Sequence, residues 1–199
     1  MILIIDNYDS FSYNLVQVIG SIMKKRKTNG FGQEEPIKVV RNDEITIDEI
    51  RKIDPSHIIL SPGPGRPKDA GICETVLQKL YRDYKILGVC LGHQAICETF
   101  GATISYANQL MHGKQSQVTV ADDCKLFASL ERHQTVARYH SLIATKDSIP
   151  EELQVIATDE ENQVMGVKFK EYEVYGLQFH PESVLTPNGA KMIENFLYL

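Results

Sequence analysis

Short apolar runs alternate with segments of helical periodicity through the first half of the chain. Residues 2–5 are all apolar, which is typical of a strand buried on both faces of a sheet. A helix follows, with Asp9 or Ser10 as its candidate N-cap. Its apolar positions recur at intervals of three and four residues: Phe11, Leu15, Val18 or Ile19, and Ile22. The polar residues 24–35 contain turn-forming glycines and predict a loop.

The alternation continues to Gly101, which is expected to end a helix. The apolar runs predict strands over residues 37–40, 57–60 and 86–89. The intervening periodic segments predict helices over residues 47–53, around Val76, and over residues 91–100. Strands and helices in alternation are typical of an open parallel sheet flanked by helices.

The pattern changes after Gly101, where short apolar runs follow one another. They predict strands over residues 117–120, 137–144, 155–158, 164–169 and 174–179, and residues 188–199 predict a closing helix. Short strands in direct succession indicate antiparallel pairing. The predicted fold class is therefore α/β: an open, mainly parallel twisted sheet flanked by helices, with antiparallel additions in the C-terminal half. The 199 residues, 43% of them hydrophobic, suit one domain over residues 1–199.

The composition argues against some classes of partner and indicates where in the cell the protein is expected. The formal net charge is -5, so we expect no nucleic acid and no membrane partner. The basic run at residues 24–27 is interpreted as a solvated surface rather than an address signal. The apolar start lacks a basic flank and a cleavage site, so it is not expected to be a signal peptide, and no apolar run is long enough to cross a bilayer. The cytoplasm is the expected location.

Cysteine and histidine spacing gives no sign of a disulfide framework or a metal site. The four cysteines form no C-x-x-C pair, and the six histidines lack the spacing of zinc ligands. No metal and no cofactor is therefore predicted. Three of the cysteines are interpreted as structural: Cys73, Cys97 and Cys124.

The fourth cysteine lies between a predicted strand and a predicted helix, in the segment Gly88-Val89-Cys90-Leu91-Gly92. This pattern places a nucleophile on a tight, strained turn, where side chains two residues away on either side would collide. The turn puts Cys90 at a helix N-terminus, whose dipole favours a thiolate. It also leaves the Leu91 N–H free to face an oxyanion. The alternative is a tight turn that contains a structural cysteine.

A candidate base occurs in the segment Gln178-Phe179-His180-Pro181-Glu182. A cysteine nucleophile needs a base that takes its proton and later protonates the leaving amine. A carboxylate that orients the imidazole helps this base. If the chain stays extended through Pro181, the side chains of His180 and Glu182 lie on the same side and can form a hydrogen bond. Taken alone, the segment is better explained as a strand end with a polar cap.

A third segment, Ser61-Pro62-Gly63-Pro64-Gly65, follows the strand predicted over residues 57–60. It should lie at the carboxyl edge of the sheet, where α/β proteins bind ligands. Its glycines allow backbone N–H groups to approach a substrate. The segment matches neither the dinucleotide fingerprint nor the P-loop, so neither site is predicted. The alternative is an ordinary Pro-Gly turn.

Together and in this order, the three segments resemble the class I, triad-type glutamine amidotransferases over nearly the whole chain. The opening Asp6-Asn7-Tyr8-Asp9-Ser10-Phe11 and residues 111–114 and 138–142 are similar in particular to the small subunits of anthranilate synthase and aminodeoxychorismate synthase.

The resemblance implies a role for each residue that matches the family motifs. Cys90 is expected to be the nucleophile, His180 the general base and acid, and Glu182 the orienting carboxylate. The N–H groups of Gly63 and Leu91 are expected to form the oxyanion hole. The expected contacts to substrate are Gly63, Pro64, Gly65, Leu91, Gln94, Ser141 and Leu142. The remaining motif histidines, His93, His112 and His140, are expected to be packing or interface residues.

The resemblance also implies a reaction and a partner. L-glutamine would be hydrolysed to glutamate, and the ammonia delivered to a chorismate-using synthase subunit in a hetero-oligomer, since the chain is too short for a second synthase domain. Gly65 favours anthranilate synthase over aminodeoxychorismate (4-aminobenzoate) synthase, and a subunit shared by both stays open. A stand-alone γ-glutamyl cysteine hydrolase and a non-catalytic binding protein are the alternatives from other classes.

Overall fold

A computed structural model describes residues 1–30, 35–107 and 113–199. The strands are β1 (Ile2–Asp6), β2 (Ile37–Arg41), β3 (His57–Leu60), β4 (Lys85–Val89), β5 (Ile104–Tyr106), β6 (Lys114–Val120), β7 (His133–Arg138), β8 (Leu142–Ala144), β9 (Leu153–Asp159), β10 (Val164–Phe169) and β11 (Val174–Leu177). The α-helices are α1 (Ser12–Thr28), α2 (Ile47–Ile53), α3 (Cys73–Leu80), α4 (Leu91–Thr99) and α5 (Gly189–Leu197).

Nine strands form one sheet in the order β2-β1-β3-β4-β11-β10-β9-β6-β7. The strands from β2 to β11 run parallel, and we call them the parallel half. The strands β10, β9, β6 and β7 pair antiparallel, and we call them the antiparallel half. Strands β5 and β8 form a separate antiparallel pair. The predicted fold class is confirmed.

The sheet is covered on both faces, which explains the apolar run at the start of the chain. Ile2 and Ile4 pack in the layer that contains residues of α1 and α5. Leu3 and Ile5 pack in the layer that contains residues of α2, α3 and α4. Successive strand residues point to opposite faces, so a strand covered on both faces must be apolar throughout.

The first helix differs from its prediction at both ends. It begins after Phe11, because Asp9 accepts a hydrogen bond from the Phe11 N–H at 2.6 Å in a turn that precedes the helix. It also continues to Thr28, so the loop predicted over residues 24–35 is wrong for its first part. Lysine and arginine are good helix formers, and in the last turn they stabilise the negative end of the helix. Residues 31–34 lie outside the described ranges.

The strand predicted over residues 137–144 is also wrong, because it is two strands. At the end of β7 the chain leaves the nine-stranded sheet, and β8 pairs with β5, which the sequence did not predict. The intervening Ser141 carbonyl accepts a hydrogen bond from the Ala107 N–H at 2.8 Å. This departure creates the segment of residues 139–142, which lies at the cavity described below.

Two further features concern membrane-spanning helices and metal binding. Within the described ranges, no helix combines the length and the apolar character that a bilayer crossing demands. The same ranges contain no group of three or more histidine, cysteine or acidic side chains placed to hold a metal ion. All four cysteines are free and buried.

Candidate active site

The three chemically informative segments meet at one edge of the parallel half. Strands β3, β4 and β11 are adjacent and parallel, so their carboxyl ends lie side by side. Ser61 follows β3, Cys90 follows β4 and Gln178 follows β11. Because each strand leads directly into its segment, the sheet itself sets the spacing between them.

Cys90 lies on the strained turn that its flanking glycines predict. It occupies φ 51 and ψ -99, between β4 and α4, a backbone region that costs a residue other than glycine about 1–3 kcal/mol. A Cβ atom on Gly88 would lie 2.4 Å from the backbone of Gly92, and one on Gly92 would lie 2.4 Å from the Leu60 carbonyl oxygen. The predicted collision is therefore real, and the turn admits no side chain at either position.

Asn7 holds the segment that follows β3. Its backbone N–H donates to the Ser61 hydroxyl and its side-chain amide donates to the Ser61 carbonyl, both at 2.8 Å. A Cβ atom on Gly63 would lie 2.5 Å from the Asn7 Cβ and 2.8 Å from the Leu91 side chain. Gly63 therefore lies against the start of α4. Among the described residues, neither the Gly63 nor the Leu91 N–H has a hydrogen-bond partner.

His180 and Glu182 form the predicted hydrogen bond. His180 Nδ1 lies 2.6 Å from Glu182 Oε1, and both side chains are buried. The route is not the predicted one, because the chain turns at Pro181 instead of staying extended, and the Ser183 N–H donates to the His180 carbonyl at 3.3 Å. The other ring nitrogen, Nε2, is buried and makes no conventional hydrogen bond within the described part of the chain.

The environment of His180 favours its protonated form. Burial alone would lower its pKa, but hydrogen bonding and charge from Cys90 and Glu182 outweigh burial and raise the pKa to about 10. Burial lowers the pKa of His93 to about 4. Burial and the Arg138 charge lower the pKa of His140 to about 3. Of these three buried histidines, His180 is the one that carries a proton at neutral pH.

The other cysteines are held as neutral thiols. Burial raises the pKa of Cys73 to about 12, partly offset by its hydrogen bond to Asn7. Burial also raises the pKa of Cys97 and of Cys124. These environments agree with the structural role predicted for the three residues.

A cavity of about 150 Å³ opens beside Cys90. Its lining residues are Gly63, Pro64, Gly65, Cys90, Gln94, Tyr139, His140, Ser141 and Leu142. All the predicted substrate contacts are among them except Leu91, whose side chain packs against Gly63 instead. A larger cavity of about 420 Å³ is lined by residues that include Tyr81 and Phe169. None of the residues proposed for chemistry lines it.

Several residues at this cavity were not found by sequence reasoning. Tyr139 and His140 were placed within a continuous strand, and nothing in their local pattern signals the chain departure that brings them to the cavity. The rings of Phe11 and Tyr139 pack against the His180 ring, with centroid distances of 5.8 and 5.0 Å. Phe11 had been assigned to the apolar face of a helix and to the opening family motif, without a contact to His180. His112 lies outside the described residues.

Comparison with known protein families decides which family has this arrangement. The model described as "Glutamine amidotransferase class-I" matches residues 3–199. The chain belongs to this family. The predicted resemblance is thereby confirmed, and with it the prediction of an amidotransferase enzyme.

Curated relatives of this amidotransferase differ in length. It is 45% identical over 199 residues to the bifunctional protein TrpGD of Thermotoga maritima; the match covers 98% of this chain and 32% of that protein, so the chain spans about a third of that relative's length. It is 43% identical over 202 residues to anthranilate synthase component 2 of Pseudomonas aeruginosa, covering 99% of this chain and 94% of that one. It is 41% identical over 197 residues to aminodeoxychorismate/anthranilate synthase component 2 of Bacillus subtilis, covering 99% and 95%.

The amidotransferase fold is also found in solved structures. A glutamine amidotransferase from Thermotoga maritima superposes with a TM-score of 0.72 at 15% sequence identity. The alignment covers 98% of this chain and 95% of that one. At this level of identity the likeness concerns the fold.

Proposed function

We propose that this amidotransferase is the glutaminase subunit of an anthranilate synthase. It hydrolyses L-glutamine to glutamate and delivers the ammonia to a chorismate-using synthase subunit. The observation that carries the proposal is the placement of Cys90 on a strained turn, beside the His180–Glu182 pair, at a cavity with two unpaired backbone N–H groups.

The first half of the reaction uses the protonated His180 as an acid. The Cys90 thiolate attacks the side-chain amide carbon of glutamine, and the negative charge moves to the amide oxygen. The N–H groups of Gly63 and Leu91 stabilise this oxyanion, and loss of one such donor typically costs about 10²–10³ in rate. Protonated His180 gives its proton to the leaving nitrogen, so ammonia departs and a γ-glutamyl thioester remains.

The second half uses His180 as a base. Now neutral, His180 takes a proton from water at Nε2, and the water oxygen attacks the thioester carbon. The same N–H groups hold the second oxyanion, which collapses and expels the Cys90 thiolate as glutamate forms. Glu182 orients the imidazole through Nδ1 and stabilises its charged form in both halves.

Exposed apolar side chains beside the site support a synthase partner. Tyr8 is 54% exposed, Tyr106 is 72% exposed and Val184 is 94% exposed. Tyr8 adjoins Asn7, Tyr106 precedes the residue that bonds to Ser141, and Val184 follows Glu182 by two residues. Exposed apolar side chains that cluster on a surface are typical of a protein interface, and the proposed synthase would dock on these three.

One residue and the relatives support the anthranilate pathway. Gly65 completes the Pro-Gly-Pro-Gly segment, and the relatives include a protein named for anthranilate synthase alone. A relative named for both synthases supports the alternative, a subunit of aminodeoxychorismate synthase or one shared by both. A stand-alone hydrolase would have no need of the exposed residues around the cavity.

Steady-state glutaminase assays with and without an anthranilate synthase large subunit test the proposal. We expect low activity from the isolated chain and a rise of about tenfold or more when the large subunit and chorismate are added, because small displacements of catalytic groups are costly and docking would correct them. Cys90→Ser should abolish glutamine use in the complex and leave its use of free ammonium intact. Cys124→Ser is the matched control and should change neither. Full activity of the isolated chain, indifferent to any chorismate enzyme, would favour the stand-alone hydrolase.

A further inference from the structure

Gln178 lies beneath the cavity with both ends of its amide engaged. The residue is completely buried at the end of β11. Its Nε2 lies 3.7 Å from Cys90 Sγ, and its Oε1 accepts a hydrogen bond from Gln94 Nε2 at 3.1 Å. A side-chain amide has one donor end and one acceptor end, so the chemistry depends on which end faces the sulfur.

The direction of this amide is set by the Leu142 carbonyl, at which a chain of hydrogen bonds from Arg138 also ends. A guanidinium can only donate, and Arg138 Nε lies 3.1 Å from His140 Nε2, so that nitrogen must accept. His140 is neutral at ordinary pH, because burial and the Arg138 charge lower its pKa to about 3. Its proton is therefore on Nδ1, which donates to the Leu142 carbonyl at 3.1 Å.

The chain continues from Leu142 to the sulfur. A carbonyl can only accept, so Gln94 must present its NH₂ group to Leu142 O, at 2.9 Å. The same NH₂ group faces Gln178, which must answer with its oxygen. The nitrogen of Gln178 is then left to face Cys90 Sγ. The Leu142 carbonyl thus fixes the direction of the Gln94 amide, and Gln94 in turn fixes the direction of the Gln178 amide.

We propose that Gln178 is a further catalytic residue, which donates an amide hydrogen bond to the Cys90 sulfur and thereby stabilises and aims the thiolate. The inference rests on the proposed role of Cys90 as nucleophile. Two groups then stabilise the thiolate, the charge of the protonated His180 and the hydrogen bond from Gln178. His180 must release its proton to the leaving nitrogen, whereas the amide keeps its hydrogen throughout. Gln178 therefore continues to stabilise the thiolate when it is expelled from the thioester.

The test measures how fast iodoacetamide alkylates Cys90 from about pH 5 to about pH 9, with peptide mapping to identify the alkylated cysteine. Alkylation depends on the thiolate and does not require glutamine. Gln178→Met keeps the side-chain length but removes the donor. It leaves unchanged the titratable groups near the sulfur, which are His180, its partner Glu182, and the neutral His140. We expect the pH–rate profile to move up by about one unit, so that alkylation on the acid side of the profile slows about tenfold.

Gln134→Met is the matched control, because Gln134 is equally buried but bonds to Asn188 and to the Glu131 carbonyl, away from Cys90. Its alkylation profile should equal that of the unaltered protein. If Gln178→Met does not fold, Gln178→Leu tests the same point, since it also fills the buried site without offering a donor to the sulfur. We expect it to slow alkylation to the same extent.

An alkylation profile that is unchanged in the folded Gln178 variant would overturn the inference and leave the proposed function standing. If the unaltered protein showed neither selective alkylation of Cys90 nor glutamine hydrolysis, the proposed function would fail first. A slowed Cys90 in Gln178→Met together with a normal Cys90 in Gln134→Met supports the amide donor over a general loss of packing.

Discussion

The parallel half and the antiparallel half shape the cavity by different means. In the parallel half, short connections after apolar strands carry the proposed nucleophile and base, and a Cβ atom added to Gly63, Gly88 or Gly92 would lie 2.4 to 2.5 Å from its nearest neighbour. In the antiparallel half, side chains hold residues 139–142 in place, chiefly the buried Arg138, which is paired with Asp159 at 2.7 Å. Backbone packing therefore holds the proposed catalytic residues in place, and polar contacts hold the opposite wall of the cavity.

This difference predicts that single side chains of the parallel half can be removed with loss of rate rather than loss of fold. His180→Asn should lower the glutaminase kcat by about 10³–10⁴, because the acid and base are lost while the turn around Cys90 remains. Steady-state kinetics and thermal unfolding of the same samples would measure both effects. His140→Asn is the control, since its amide can still donate to Leu142, and we expect a loss below about tenfold. A fully active His180→Asn variant would refute the triad.

Loss of stability is expected instead when the buried ion pair of the antiparallel half is broken. Arg138→Met leaves the Asp159 carboxylate buried without its partner, which typically costs about 3–5 kcal/mol of stability. Urea unfolding measures this cost. The matched control is Arg132→Met, because Arg132 and Asp122 are exposed and 3.7 Å apart, and such pairs contribute about 0–1 kcal/mol. Equal stability losses in the two variants would remove the contrast between the halves.

A smaller effect should separate the orienting carboxylate from the base. Glu182→Gln removes a charge and a hydrogen bond that raise the pKa of His180, so the alkaline limb of kcat/KM should move to lower pH. The rate loss should be about 10–100-fold, less than for His180→Asn. Because His180 has a raised pKa in the folded state, its stabilisation is complete below about pH 6.5 and disappears as pH rises through about 10. In Glu182→Gln, stability should fall less over this interval. An unmoved alkaline limb would assign that limb to another group.

The two halves also differed in how well the sequence predicted them. In the parallel half, the strands and every helix except α1 were placed to within a residue or two, because strands buried on both faces read as continuous apolar runs. The turn at Cys90 was predicted because its glycines have a steric cause. Outside the parallel half, the break after Arg138 and the strand Ile104–Tyr106 were missed, and so was the proposed role of Gln178 after β11. They depend on hydrogen bonds between residues far apart in the chain, such as Gln178 and Cys90, which local periodicity does not encode.

The glycines at the turn reverse the usual meaning of alanine scanning. Replacing a residue by alanine normally deletes atoms and reports what they contributed, but at Gly88 and Gly92 the replacement adds an atom where the backbone already lies 2.4 Å away. At Gly20, on α1, the nearest atom would be 3.9 Å from the added carbon, and the same replacement is mild. Gly88 and Gly92 are thus important because they have no side chain. Alanine scanning, which tests side chains by removing them, would not detect this role.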